Sequence, residues 1–320
     1  MTNWLAPADF ATVVEAATRA PSMHNTQPWR FRLQPGYLDL LADPDRQLPQ
    51  ADASGWAARL GCGAALFNLR LALAARGAPA SVALYPDRDE PHLVARLTPE
   101  VPRPPTPTEL RLYRAIPLRH SNRAPFRETP VPVEVRAELI AAARAEQAWL
   151  DLLLGPVAVE ATAALVQSAD RILRGDGAYQ AELNSWTRSD SPAVDGVPAS
   201  AGGPAPRPDT LLPGRDFGGA ELPGHRDFER DPLLAVVGGA GDWPADQVQV
   251  GQALQRVLLT ATDLGLAASM FSQPIEVPAV REQLRLALGR SAPPQMLLRF
   301  GYAIPAPASP RRSVADVVAS

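Results

Sequence analysis

The stretch Arg19-Ala-Pro-Ser-Met-His-Asn-Thr-Gln-Pro-Trp-Arg-Phe31 decides how the rest of the chain is read. Before it, Phe10, Val13, Val14 and Ala17 recur at helical spacing, so residues 10–20 read as an amphipathic helix. Pro21 ends that helix, because a residue preceding proline is pushed out of the α region. Pro28 keeps a new helix from starting cleanly. Trp29 and Phe31 then alternate with Arg30 and Arg32, the pattern of a strand. Between the two prolines, Ser22, His24, Asn25, Thr26 and Gln27 each carry a hydrogen-bond donor or acceptor. A loop of this kind is either an ordinary helix-to-strand connection or a rigid display of polar groups. The density of those groups between fixed points favours a ligand site.

Outward from this loop, Gln34-Pro35-Gly36 is a turn signal, so residues 29–42 read as a hairpin. Residues 57–76 are a helix that is apolar nearly all round, with Arg59, Asn68 and Arg70 as exceptions. Such a helix is buried, and Gly77 is its C-cap. Strands follow at 81–85 and 92–97, with His92 a surface strand residue, and 101–108 is a proline-rich linker. The second half reads as helices at 109–115, 132–147, 157–173, 248–264 and 277–288. Its strands are at 148–154, 233–237, 267–272 and 295–302. From Gly175 to Asp231 the pattern dissolves into glycine and proline.

A faint internal repeat links the halves. Setting Gly63 over Gly251 also superposes Ala65 on Ala253, Leu66 on Leu254 and Leu71 on Leu259. The helix caps Gly77 and Gly265 then coincide, as do Ser81 with Ser269 and Pro86 with Pro274. The expected fold class is α+β, with two tandem α+β halves at 1–108 and 109–320 forming an intramolecular pseudo-dimer. The second half carries an insertion at about 175–231.

The chain has 320 residues, 46% of them apolar, enough for a substantial core. A net charge of -3 argues against an electrostatic nucleic-acid binder. Every basic residue is arginine, a bias that a GC-rich coding sequence explains. The single cysteine, Cys62, lies in the apolar helix and reads as a core residue. No apolar run reaches the ~20 residues that span a bilayer, and the N-terminus lacks the basic region of a signal peptide. A cytoplasmic protein without a membrane partner is expected, either a monomer or a weak homodimer.

Arg119-His-Ser-Asn-Arg123 gathers two guanidinium groups, an imidazole, a hydroxyl and an amide between Pro117 and Pro125. Such a cluster suits a phosphate, or is simply a solvated basic turn. Pro21-Ser22-x-x-Asn25-x-Gln27-Pro28-Trp29 resembles the Pro-Ser-x-x-Asn-x-Gln-Pro-Trp segment of the nitroreductase family of FMN enzymes. Arg119, Ser121, Arg123 and Phe126 resemble that family's Arg-x-Ser-x-Arg-x-x-Phe opening.

The resemblance implies that Ser22, His24, Asn25 and Gln27 contact the flavin. It implies that Arg119, His120 and Ser121 surround its phosphate, and that Arg123 faces the pyrimidine edge. Gln273-Pro274-Ile275-Glu276 is similar to the family's Pro-Ile-Glu-Gly turn, whose backbone N–H groups address the flavin. Val277 replaces the glycine. Arg311 and Arg312 match the last phosphate-binding basic pair. Only one of the two flavin sites of an ordinary dimer is complete, because Arg144-Ala-Glu-Gln-Ala-Trp149 lacks the Pro-Ser-x-x-Asn loop.

The whole resembles the fused, single-chain Acg-type branch of the superfamily. That branch has an insertion that folds over the flavin as a lid, here carrying Trp186, Arg188 and Phe217. The implied function is electron transfer from NAD(P)H through FMN to a nitroaromatic, quinone or enone. The alternative is an FMN-sequestering protein with little turnover. A flavoenzyme that desaturates a dedicated substrate is a weaker third reading. No acid or base stands out as catalytic; His24 is a candidate proton donor that more plainly positions the flavin. No metal is implied.

Overall fold

The computed structural model describes residues 4–188, 193–205, 210–219 and 228–319. The first half runs α1 (Pro7–Thr18), β1 (Trp29–Gln34), β2 (Tyr37–Ala42), α2 (Trp56–Ala75), β3 (Ala80–Leu84) and β4 (Leu93–Pro99). The second begins with α3 (Pro107–Ala115), α4 (Val133–Ala145), β5 (Trp149–Leu153), α5 (Pro156–Gly175) and α6 (Gly177–Ser185). Two short strands, β6 (Thr187–Arg188) and β7 (Val197–Pro198), precede α7 (Ala199–Gly202). Then come β8 (Leu233–Gly238), α8 (Pro244–Asp263), β9 (Ala267–Phe271), α9 (Gln273–Glu276), α10 (Pro278–Ala287), β10 (Pro294–Gly301) and α11 (Val314–Val317).

Two four-stranded antiparallel sheets carry the fold, ordered β1-β2-β4-β3 and β5-β8-β10-β9. Place by place the orders correspond, with the insertion standing where the first half has the tight turn between β1 and β2. The fold is α+β, as the patterning predicts.

Helices α2 and α8 cross at the centre. A Cβ on Gly63 would lie 2.1 Å from the Val248 carbonyl oxygen, and one on Gly251 would lie 2.2 Å from that of Leu60. Only glycine lets the two backbones approach so closely. The polar exceptions on α2 are explained by the same crossing. Arg59 donates to Gln247 (2.6 Å), Arg70 to Gln252 (2.7 Å), and Asn68 accepts from Gln255 (2.7 Å), all three glutamines lying on α8. A buried helix face keeps polar groups only where they are paired. Helix α2 has the length and composition of a membrane span, yet most of it is buried within this fold. Cys62 is buried there, its thiol donating to the Pro28 carbonyl at 3.2 Å.

Several boundaries differ from the sequence reading. Helix α8 starts earlier, because Pro244 occupies its first turn and the Asp246 carboxylate accepts from the Trp243 N–H (3.0 Å). Helix α6 lies inside the stretch expected to be irregular. Its start is fixed by Asp176, which accepts from the N–H groups of Ala178 and Tyr179 at 2.9 and 3.1 Å. Residues 273–276 form one helical turn rather than an open turn. His92 is exposed in the bend before β4. The C-terminal tail returns to the first half, where the Ala319 N–H donates to the Phe31 carbonyl (2.8 Å) at the edge of β1. The insertion lies on a small apolar cluster of Tyr179, Leu183, Val197 and Phe217 with Leu48 and Ala51 of the first half.

Candidate functional site

The loop between Pro21 and Pro28 is strained. His24, Asn25 and Gln27 hold φ values of 49°, 57° and 54°, a region side-chain-bearing residues seldom adopt. Ser22 Oγ fixes the loop from inside by accepting from the Gln27 N–H (2.9 Å). The Asn25 amide donates to the carbonyls of Gly196 (2.9 Å) and Pro310 (3.0 Å) and accepts from Arg311 (2.9 Å). The Gln27 amide donates to the Val194 carbonyl (2.9 Å) and accepts from the Arg312 N–H (2.8 Å). Two loop side chains therefore hold the insertion and the C-terminal tail together.

Beside this loop lies a surplus of positive charge, with Arg119 buried and Arg311 half-buried. Arg119 is buried and, among the described residues, makes one long bond to the Arg19 carbonyl (3.4 Å) and leaves its Nε without a partner. Arg311 donates to the carbonyls of Thr18 (2.8 Å) and Ala20 (3.2 Å) at the C-terminus of α1, where cations are favoured. Neither forms an ion pair among the described residues. Burial pulls Arg119 down to about 10. Burial, reinforced by repulsion from Arg119 and Arg19, pulls Arg311 down to about 9. His120 is lowered by burial and by the guanidinium groups of Arg119, Arg311 and Arg19. Ser121 bridges to Ala268 on β9 through the main chain. The Asn122 N–H adds a bond to the Ala268 carbonyl (2.8 Å) and fixes the segment there. Partly dehydrated cations close enough to repel one another, with no carboxylate paired to them among the described residues, are the makings of an anion site.

A pair of adjoining clefts opens next to this cluster, with Arg123, Arg215, Phe217 and Met270 lining both. Ser22 and His24 line the first cleft, Gln273 and Arg299 the second. Arg123 donates to the Ala201 carbonyl (2.7 Å), and its guanidinium lies 4.9 Å over the Phe217 ring. Burial, with repulsion from Arg215, lowers Arg123 to about 10. His24 is buried, meets Phe217 edge-on at 5.9 Å, and has no hydrogen-bond partner on either ring nitrogen among the described residues. Burial first, then Arg215 and Arg123, hold it well below the ordinary histidine range.

Sequence reasoning missed Arg215 and Tyr179, which fasten the insertion down. Arg215 pairs with Glu276 and donates to Tyr179 Oη (2.8 Å) and Ser272 Oγ (2.9 Å). The Tyr179 hydroxyl in turn donates to Glu276 (2.9 Å). Arg46 was missed as well; it donates to the Thr26 carbonyl (2.9 Å) and to Asp195 (3.0 Å). Arg215 sits in a glycine- and proline-rich stretch without periodicity, so no local signal marks it.

Other sequence-predicted residues are arranged differently from expectation. The N–H groups of Ile275 and Glu276 both donate to the Ser272 carbonyl (2.8 and 3.0 Å), so they do not point outward to a ligand. Pro274 has no N–H, Ile275 packs in the core, and the Glu276 carboxylate belongs to the Arg215 network. Gln273 donates to the Pro213 carbonyl (3.1 Å). Arg312 stands apart from Arg311, 3.6 Å from Asp43 and bonded to the Asp316 carbonyl. Arg188 pairs with Asp195 (2.9 Å) and lies over Trp186. These two belong to the base of the insertion, whereas Phe217 reaches the clefts. Pro206 and Pro208 of the insertion lie outside the described residues.

The Nitroreductase family model matches residues 116–302, more than half of the chain. A Mycobacterium tuberculosis (strain H37Rv) protein provisionally named NAD(P)H nitroreductase Rv3131 is 36% identical over 317 residues, covering 96% of this chain and 90% of its own. A second protein of that strain, provisionally named NAD(P)H nitroreductase acg, is 34% identical over 314 residues, covering 96% of this chain and 94% of its own. A solved nitroreductase with bound FMN from Desulfitobacterium hafniense gives a TM-score of 0.41 at 15% identity, covering 66% of this chain and 97% of that one. That last likeness is too distant to bear on individual residues. The family match and the full-length relatives agree with the two motif-bearing loops, and this chain belongs to the nitroreductase family.

Proposed function

We propose that this chain binds one FMN between the 22–27 loop and the 119–123 segment and passes electrons from NAD(P)H to an electron-poor small molecule such as a nitroaromatic, quinone or enone. The observation that carries the reading is the buried Arg119 beside the half-buried Arg311, with no carboxylate paired to either and the Arg119 Nε unpartnered among the described residues. Those residues fit a phosphate monoester, whose oxygens would supply the missing acceptors. The names of the full-length relatives support NAD(P)H as the donor.

When bound, the flavin supplies two-electron chemistry that no side chain here offers. The chain's own contribution is binding, polarity and exclusion of water. Arg119 and Arg311 would hold the phosphate, with Ser121 beside them. Arg123, charged and largely dehydrated, would sit where negative charge gathers and stabilise it. His24 is neutral at pH 7, so it serves as a hydrogen-bonding group rather than as a ready proton source. Phe217 and the insertion would cover the cleft and keep water away.

A single site per chain is supported by the counterpart of the 22–27 loop in the second half, the α4–β5 connection. There Glu146 is buried and accepts from Arg70 of α2 (2.8 Å) and Arg256 of α8 (2.9 Å). A closed ion cluster fills that place. The corresponding sheet orders support reading 1–108 and 109–320 as two copies of one unit.

A second reading, FMN sequestration, draws on the insertion itself. Asn25, Gln27 and Arg123 all donate to its carbonyls, and Arg215 ties it to Glu276. Mixing the flavin-loaded protein anaerobically with NADPH or NADH separates the two. Bleaching within seconds is expected for an oxidoreductase. A flavin inert to both nucleotides would leave sequestration.

A further inference from the structure

We propose that the cleft on the far side of the Phe217 ring receives the carboxylate end of the electron acceptor, so that the preferred acceptors are planar acids. This rests on the oxidoreductase reading and names its substrate class.

Arg123, Arg215 and Arg299 all line this cleft. Two carboxylates answer them. Glu276 is committed to Arg215, and Glu229 stands 3.4 Å from Arg299 while accepting from the Phe126 N–H (2.9 Å). Arg123 has no ion-pair partner among the described residues, so of the three lining guanidinium groups two are answered by a carboxylate and one is not. Arg299 projects from β10 and is 1% exposed, yet its Nε has no partner among the described residues. Its guanidinium is held at 4.0 Å over the Phe126 ring and 5.2 Å over Phe228, and it donates to the Ala124 carbonyl (2.8 Å). A guanidinium held at the wall of a cleft with one N–H unpartnered among the described residues matches a carboxylate in charge.

The rest of the lining suits a flat hydrophobic body. Phe217 and Met270 are shared with the adjoining cleft lined by Ser22 and His24, so an acid held here would border the proposed flavin site. Arg119 and Arg311 do not line this space, which separates it from the candidate phosphate site.

The test uses two probes of matched shape, 4-nitrobenzoate and 4-nitrobenzamide, titrated calorimetrically into flavin-loaded protein in phosphate buffer. The acid should bind at least roughly tenfold more tightly, the value of about one charge-assisted hydrogen bond. Arg299→Gln should remove most of that preference while leaving the amide's affinity in place. Gln273→Glu, which adds a carboxylate to the same lining, should abolish it independently. Equal affinities in the native protein overturn the proposal. So does a preference that survives both substitutions, because the acid would then be bound elsewhere. A purified protein without flavin would refute the cofactor reading instead, and the charge preference remains measurable in that protein.

Discussion

Replacing Arg215 by alanine should release the insertion while the body stays folded. Arg215 is the one group that bonds Tyr179, Ser272 and Glu276 at once, and the Glu276 side chain is 1% exposed. Without the guanidinium, the Glu276 carboxylate stays buried with the Tyr179 hydroxyl as its remaining partner. Removing one member of a buried pair costs ~3–5 kcal/mol, chiefly because the other is stranded. The segment's other ties are more exposed or neutral: the Arg46–Asp195 ion pair (3.0 Å) and the bonds of Gln273 to the Pro213 carbonyl (3.1 Å) and of Gln167 to the Leu211 carbonyl (3.2 Å). The three carbonyl bonds from Asn25, Gln27 and Arg123 contribute about 1 kcal/mol each, and the apolar cluster around Phe217 is small. The cost therefore falls on docking of residues 193–219 rather than on the α2–α8 crossing. Amide hydrogen exchange followed by mass spectrometry should quicken in 193–205 and 210–219 by roughly two to three powers of ten, at about 1.4 kcal/mol each. The α2 and α8 amides should be unchanged. Arg215→Met with Glu276→Leu should lose much less, since an apolar pair replaces the ionic one without stranding a charge. Unchanged exchange in the insertion, or equal loss of protection in α2 and α8, would refute the reasoning.

Three further outcomes are expected. Gly251→Ala should destabilise the whole protein by at least ~1–3 kcal/mol, because its Cβ would meet the Leu60 carbonyl at 2.2 Å; a thermal midpoint equal to the parent's would contradict the crossing. His24 has its folded-state value depressed, so the unfolded chain protonates first as pH falls. Its contribution is intact above ~6.5 and is lost below it, with a slope of up to about 1.4 kcal/mol per pH unit. Denaturant unfolding at pH 7.5, 6.5 and 5.5 should show this slope in the parent and a shallower one in His24→Gln; parallel slopes would sink the idea. Arg119→Ala combined with Ser121→Ala removes bonds of roughly 1.5–3 kcal/mol each to a phosphate, so the protein should fold but purify colourless; full yellow colour would show the phosphate to be held elsewhere.

Much of the body was legible because it is periodic. The apolar circumference of residues 57–76 announced a helix buried on all sides, and its few polar residues turn out to be the ones that bond α8. The two prolines bracketing residues 22–27 correctly marked a rigid loop, although nothing local foretold three left-handed residues within it. Long-range pairings were not legible. Tyr179, Arg215 and Glu276 meet across 97 residues of separation through an irregular stretch. Adjacent arginines also diverged: Arg311 turns to the C-terminus of α1, while Arg312 turns to Asp43. Helix α6 was readable in principle from Asp176 as an N-cap, but the surrounding glycine and proline masked it.

The central claim is one flavin site assembled from both halves of a single chain. It is tested most directly by denaturing the purified protein, quantifying released FMN by absorbance, and dividing by the polypeptide concentration. The account predicts a ratio of one, because Glu146 and its two arginines close the counterpart position. A ratio of two would contradict it, and so would a protein that binds no FMN when supplied with an excess.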